Sequence, residues 1–433
     1  MRVGAFVLLV VCACGRIGFD PLGADQPPSC MNAIRDTDEQ GVDCGGTCLL
    51  CPGAACSIDV ECASGYCVGG FCELATAPPF WLPGPDLSTV RQGARAATGS
   101  AGEVYVIGGR DNSGLVATVD ILAPGAAAFA PGPTMINGRE NHAVANIAGT
   151  IYAFGSGAVP DALEALVGTW QPRASAPVGH GWIDGVAGPD GNFYVSDIYD
   201  LSVYTPGTDS WSVVPGPMDG RDQIGVARGT DGLIYVIAGR TDQTGSVFVD
   251  AYEVPTNVWS RRAPLPEARV YASAVAAPDG RIYAIGGGVA GGATTARVVA
   301  YTPERDRWAE VARLGSEREQ GGAALDAKGR IYMCGGMNQT ARLSSTESYG
   351  PDMTLSAAQA SPGATVTVSH ENFAADAAVL ITIDGVQVAS GVTSFDGTAT
   401  TSFVVPPLAA GPHEVRAIDN RSQYPITVVL DVQ

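Results

Sequence analysis

Six times along the chain a glycine is followed three residues later by a tyrosine: Gly102/Tyr105, Gly149/Tyr152, Gly191/Tyr194, Gly232/Tyr235, Gly280/Tyr283 and Gly329/Tyr332. The tyrosines recur 41 to 49 residues apart. A period in the forties built from strand-like units restricts the chain to repeat architectures, in which neighbouring small sheets must stack to bury their faces. The best-formed copy is DGRIYAIGG, from Asp279 to Gly287. Asp279-Gly280 suits a two-residue turn with positive φ. Ile282 to Ile285 is continuously apolar, as a strand covered on both faces must be. Gly286-Gly287 leaves room for close backbone approach at its end.

A second register repeats with the first. An aromatic residue is followed ten positions later by a cationic type: Trp81/Arg91, Phe129/Arg139, Trp170/His180, Trp211/Arg221, Trp259/Arg269 and Trp308/Arg318. The aromatic often follows a Pro turn, as in YTPGTDSW from Tyr204 to Trp211. Paired glycines after an apolar strand, Tyr-x-Pro, Trp and then Arg resemble the kelch repeat, over about residues 81–351. The resemblance implies a β-propeller of four antiparallel strands per blade. Stacked blades leave only short strand edges.

The register also predicts how the ring shuts. Trp81 precedes the first Gly-x-x-Tyr strand, and no Trp follows Tyr332. The strand at Trp81 is therefore expected to complete the last blade and latch the ring. Copies two (Gly155-Ser156-Gly157) and three (Ser196-Asp197) depart from the paired glycines, so blades two and three are the expected irregular ones.

The flanks differ in kind. Arg2 and the apolar stretch Val3 to Ala13 read as an export signal too short to span a bilayer. Val11-Cys12-Ala13-Cys14 resembles a bacterial lipobox, which implies cleavage after residue 13 and lipids on Cys14, the only expected membrane attachment. Gly15 stands where an inner-membrane retention signal would place Asp, which points to the outer membrane of a bacterial envelope. Residues 14–29 have tether composition. Eight cysteines follow within 30–72: Cys30, Cys44, Cys48, Cys51, Cys56, Cys62, Cys67 and Cys72. In an exported chain that density reads as a disulfide module rather than a zinc site. The stretch resembles cysteine-rich modules of envelope lipoproteins from predatory, GC-rich bacteria of myxobacterial type. The propeller is expected over 78–351. Residues 352–433 alternate apolar and polar residues between turns, as an immunoglobulin-like β-sandwich would. The expected fold is thus all-β: a disulfide-rich module, a six-bladed kelch propeller closed by an N-terminal strand, and a sandwich.

Chemistry is sparse. The net charge is −19 with a single lysine, Lys328, and no basic stripe, which argues against nucleic acid. Galactose oxidase, a kelch enzyme, shares the order propeller then sandwich, but its copper site needs two histidines, tyrosines and a cysteine-linked tyrosine; this sequence has no Tyr-His pair, its one propeller cysteine, Cys334, sits inside the strand-like IYMCGG, and its repeat count is six where that enzyme has seven. No cofactor, metal site or catalytic residue is expected. A six-bladed kelch sialic acid epimerase keeps a carbohydrate-active enzyme as an alternative; Glu140, His142, Asp222 and Glu319 could then face the funnel. Structural scaffolding in the envelope is a third reading. The preferred one is binding without turnover, of protein or anionic glycan. Arg91, Arg139, His180, Arg221, Arg269 and Arg318 would ring one channel mouth, and clustered guanidiniums favour carboxylates, sulfates or phosphates. The competing reading is that each Arg ties the blades together.

Overall fold

The computed structural model describes residues 81–433 except 158, 178–180, 242–243, 374–376, 395–396 and 421–423, and the backbone of a hairpin, Cys67–Val68 with Phe71–Cys72, in which Cys67 and Cys72 are Cα partners. Cys14, Cys30, Cys44, Cys48, Cys51, Cys56, Cys62 and His180 lie outside the described residues, as do the expected signal and tether.

Nearly all the regular structure among the described residues is strand. Six sheets have four antiparallel strands each. Their innermost strands are Arg95–Thr98, Ala143–Ile147, Asp184–Ala187, Gly225–Arg228, Ser273–Ala276 and Gly322–Leu325. All six line one central cavity. Each lies against the next, and Gly322–Leu325 lies against Arg95–Thr98. The sixth sheet takes its outer strand from Leu82–Pro83, with Leu82 opposite Ser348 and Pro83 opposite Glu347.

The two sequence registers have physical meaning here. The Gly-x-x-Tyr strands, such as Ile282–Ile285, are second in their sheets, and this one is buried throughout. Tyr283 donates its hydroxyl to Asp279 Oδ2 at 2.6 Å, and the Arg281 amide donates to Asp279 Oδ1 at 2.9 Å, so Asp279 holds the turn and the strand together. The pairs Tyr235/Asp231 (2.6 Å) and Tyr194/Asp190 (2.9 Å) repeat it. The indoles bond to the sheet before their own. Trp170, Trp211, Trp259 and Trp308 donate Nε1–H to the carbonyls of Pro133, Ala174, Pro215 and Ala263, and Trp81 to that of Ala312, all at 2.8–2.9 Å. Phe129 carries no such donor.

Residues 352–433 form a three-stranded sheet (Asp352–Leu355, Thr365–Glu371, Ala399–Val404) and a five-stranded sheet. They share one core that includes Val368, Phe373, Ile381, Phe403 and Leu430. Tyr424 anchors this unit to the last sheets: it is fully buried beside Tyr349 and Tyr283 and donates to Gly329 O at 2.6 Å.

Candidate functional site at one end of the central cavity

The repeated arginines do not ring a mouth. Arg91, Arg139, Arg221, Arg269 and Arg318 are all fully buried. Arg139 donates to the carbonyls of Ala153, Gly155 and Ala162 and pairs with Glu164 at 2.5 Å. Arg91 pairs with Asp120 at 3.2 Å, Arg221 with Asp250 at 2.8 Å and Arg318 with Glu347 at 2.6 Å. Arg269 bonds the carbonyls of Ala284, Gly286 and Arg297. The expectation of an anion-binding ring is corrected for these five. Their guanidiniums cross from the start of the inner strand to the third strand of the same sheet, and carbonyls and carboxylates consume them there. The signal was present in the sequence: a carboxylate stands 25 to 29 residues after four of the arginines, at Asp120, Glu164, Asp250 and Glu347.

Two positions past each cation lies the ring that does form. Gly93, Asn141, Trp182, Gln223, Tyr271 and Gln320 all adopt the left-handed conformation, the five non-glycines with φ of 47° to 58°. Each strains an L-residue by about 1–2 kcal/mol, so the cluster marks an imposed geometry. It permits backbone bonds from sheet to sheet. Asn141 N–H donates to Gly93 O (2.7 Å), Gln223 N–H to Trp182 O (3.2 Å), Tyr271 N–H to Gln223 O (2.8 Å), Gln320 N–H to Tyr271 O (3.2 Å) and Gly93 N–H to Gln320 O (2.7 Å). Between the second and third sheets Ile183 N–H donates to Asn141 O at 3.1 Å instead. The residue types vary around the ring while the backbone role repeats. The constant Arg stands out in the sequence, whereas the varied residue two places on carries no repeating side-chain type.

The side chains here are polar and acidic. Glu140 pairs with Arg110 at 2.8 Å. Asp222 takes a bidentate contact from Arg240 at 3.1 and 2.8 Å, and Arg240 lies 5.7 Å from the Trp182 ring centroid. With its amide turned to suit its neighbours, Gln223 accepts from the Tyr271 hydroxyl at 3.0 Å. Burial pushes the Tyr271 phenol up to about 12, with Arg240 pulling down and Asp222, Glu319 and Glu140 pushing up. Burial also raises the Glu319 carboxyl. His142, in contrast, is fully buried just before the inner strand of the second sheet; burial, then Arg139 and Arg95, hold its imidazole well below its usual value.

Beneath the ring the cavity has a volume of about 310 Å³, and its walls are mostly Ala, Val and Gly. It holds one ion pair, Arg95 with Asp184 at 3.4 Å. Among the described residues no group of three or more His, Cys, Asp or Glu is placed to hold a metal ion.

The loops around this end expose apolar side chains over the second to fourth sheets. Trp182 is 48% exposed and Tyr199 75%, with Ile198 and Met218 also exposed. Arg221 N–H donates to Ile198 O at 3.1 Å and Gly216 N–H to Tyr199 O at 3.1 Å, which ties the two loops together. Ile198 and Tyr199 belong to the third copy of the repeat, one of the two with irregular sequence.

Comparison with known proteins agrees with this architecture. The kelch motif matches residues 269–315. Kelch-like protein 23 of Homo sapiens is 24% identical over 282 residues, 63% of this chain and 42% of that protein. Kelch-like protein 36 of Bos taurus is 30% identical over 229 residues, 46% of this chain and 36% of that protein. The chain thus spans less than half the length of these curated relatives. Among solved structures, a fungal alcohol oxidase of the AA5 family in complex with copper aligns with TM-score 0.51 and 13% identity, covering 82% of this chain and 99% of that one; at this identity the likeness shows the fold alone. The motif, the relatives and the repeated four-stranded sheets support a kelch-repeat protein of β-propeller type.

Proposed function

We propose that the chain is an interaction propeller: six kelch blades, latched by the strand after Trp81, offer the Trp182–Tyr199 face and the polar ring beside it to a protein partner, without turnover. The exposed aromatic pair on the irregular third copy carries this reading. Large apolar side chains exposed together on one face mark interaction sites, and Trp and Tyr are favoured anchors. Kelch-repeat relatives agree with a protein-binding role. An anionic glycan is disfavoured, because the arginines expected to hold it are consumed inside the sheets. The epimerase-like alternative needs two free acid/base groups; Glu140 and Asp222 are each held by an arginine and His142 is buried, which leaves Glu319 alone of the four candidates. In the proposed setting Cys14 bears the lipid anchor in a bacterial outer membrane. The cysteine module of residues 30–72 spaces the propeller from that membrane, and an immunoglobulin-like sandwich packs on its far blades.

A photo-crosslinking residue in place of Tyr199 tests the face. Placed there in the full chain and expressed in cells, it is expected to trap one dominant partner. The same residue in place of Val258, exposed near the hairpin between Val249–Glu253 and Val258–Arg261 at the opposite strand ends, is expected to trap none. Equal trapping from both positions contradicts the reading.

A further inference from the structure

We propose that the ring end of the cavity takes a cationic side chain from the partner, the guanidinium or ammonium of an arginine or lysine, on Glu319 with Gln320 and Asn141. This rests on the interaction reading above and names the chemistry that the face selects.

In the first, fourth, fifth and sixth sheets a residue just after the buried arginine forms an isolated backbone bridge to the loop after the second strand: Gln92 with Arg110, Asp222 with Arg240, Val270 with Gly288, Glu319 with Met337. Arg240 neutralises Asp222 across its bridge, and Arg110 reaches Glu140. The sixth sheet has Met337 where the first and fourth have arginine. Glu319 therefore keeps a carboxylate with no cation within 4.0 Å among the described residues. Its nearest side-chain donor is Gln320 Nε2, at a long 3.4 Å. The carboxylate lies in a notch beside Gly288, where a Cβ would overlap Glu319 Oε2.

A second observation is independent of the carboxylates. Asn141 is only 3% exposed, and its Oδ1 has no hydrogen-bond donor. Its Nδ2 stands 3.5 Å from Gln320 Oε1, and Gln92 Nε2 stands 3.4 Å from the same oxygen. These contacts are longer than well-formed hydrogen bonds, and a buried acceptor without a donor is costly. Among the described residues the rim thus carries surplus acceptors, while Arg110 and Arg240 are held by Glu140 and Asp222 and Arg342 bonds the Asn112 side chain. Ammonium and guanidinium groups supply donors and charge together.

Saturation-transfer NMR on the full chain tests this with three probes: Ac-Gly-Arg-Gly-NH2, Ac-Gly-Lys-Gly-NH2 and Ac-Gly-Glu-Gly-NH2. Saturation is expected on the terminal side-chain methylenes of the Arg and Lys peptides and not on the Glu peptide. Glu319→Gln should weaken it about tenfold or more, whereas Glu304→Gln, an equal charge change at an exposed turn, should leave it unchanged. Met337→Arg supplies the missing cation internally and should abolish binding with the fold intact by circular dichroism, which guards against a Glu319 variant that fails to fold. Equal signals from all three peptides, no signal from the basic ones, or signals unchanged by Glu319→Gln or by Met337→Arg overturn the proposal. If that happens while crosslinking at position 199 still traps a partner, the interaction reading stands and only the cation claim falls.

Discussion

Arg221 and Asp250 form an ion pair with Nη1 2.8 Å from Oδ2 and both side chains fully buried. Asp250 also accepts from Arg261 Nε at 2.7 Å. Removing one partner of such a pair leaves the other charge buried and uncompensated, which costs about 3–5 kcal/mol. Asp250→Ala is therefore expected to lower unfolding stability by that order, measured by urea denaturation.

The fifth sheet lacks this arrangement. Val236 pairs with Asp250 in the fourth sheet, and the equivalent partner of Ala284 is Val299. Arg269 keeps only carbonyls for acceptors, and burial lowers its guanidinium to about 10. Val299→Asp should place a carboxylate where four other sheets have one, and raise stability by about 1 kcal/mol. Val298→Asp, one residue away and among the apolar neighbours of Trp81 and Tyr349, should instead destabilise strongly. Denaturation midpoints of the two variants that move in the same direction contradict the pairing rule.

Trp81 joins residues far apart in sequence. Its Nε1–H bonds Ala312 O at 2.9 Å, and its ring centroid lies 5.3 Å from that of Tyr349. Trp81→Ala is expected to cost about 3–5 kcal/mol and to lower the melting temperature of the whole propeller in calorimetry. A separate, early transition with the main one unmoved contradicts the latch.

Acid should act through buried imidazoles. His370 is buried edge-to-face with Phe373, 5.3 Å between centroids, and burial pushes its ring from 6.5 down to about 4. The unfolded chain takes up a proton below pH 6.5 that the folded chain refuses until about pH 4. Stability from this group is thus intact above 6.5 and lost as pH falls toward 4, by about 3 kcal/mol. His142, also buried with a lowered imidazole, acts in the same direction. His370→Gln should lose less stability than the wild type between pH 7 and pH 4, compared by denaturation at both.

Much of the fold was legible because repeats state a rule several times. The spacing of Tyr235, Tyr283 and Tyr332 marks second strands, and the Trp–Arg register marks where one sheet ends and the next begins. The site was less legible. Six cations in one register suggest a shared surface, yet a charge as constant as Arg221 or Arg318 in a repeat is held constant by the carbonyls around it. The ring residues Asn141, Trp182, Gln223, Tyr271 and Gln320 share a backbone conformation, which periodicity of side-chain type cannot reveal. Whether Glu319 has a cation depends on Met337 across a bridge, a pairing that becomes visible only when the strands are in place. The third copy, which departs from the paired glycines at Ser196-Asp197, carries the exposed Tyr199.

The account turns on the Trp182–Tyr199 face as the place where a partner binds. The direct measurement is titration calorimetry of the crosslinked partner, once purified, against the full chain, the Trp182→Ala/Tyr199→Ala variant and Val258→Ser. The account predicts that the double variant loses about 100-fold or more in affinity, as two aromatic anchors of at least 1–2 kcal/mol each would give, with Val258→Ser unchanged. Wild-type affinity in the double variant, or an equal loss in Val258→Ser, would contradict it.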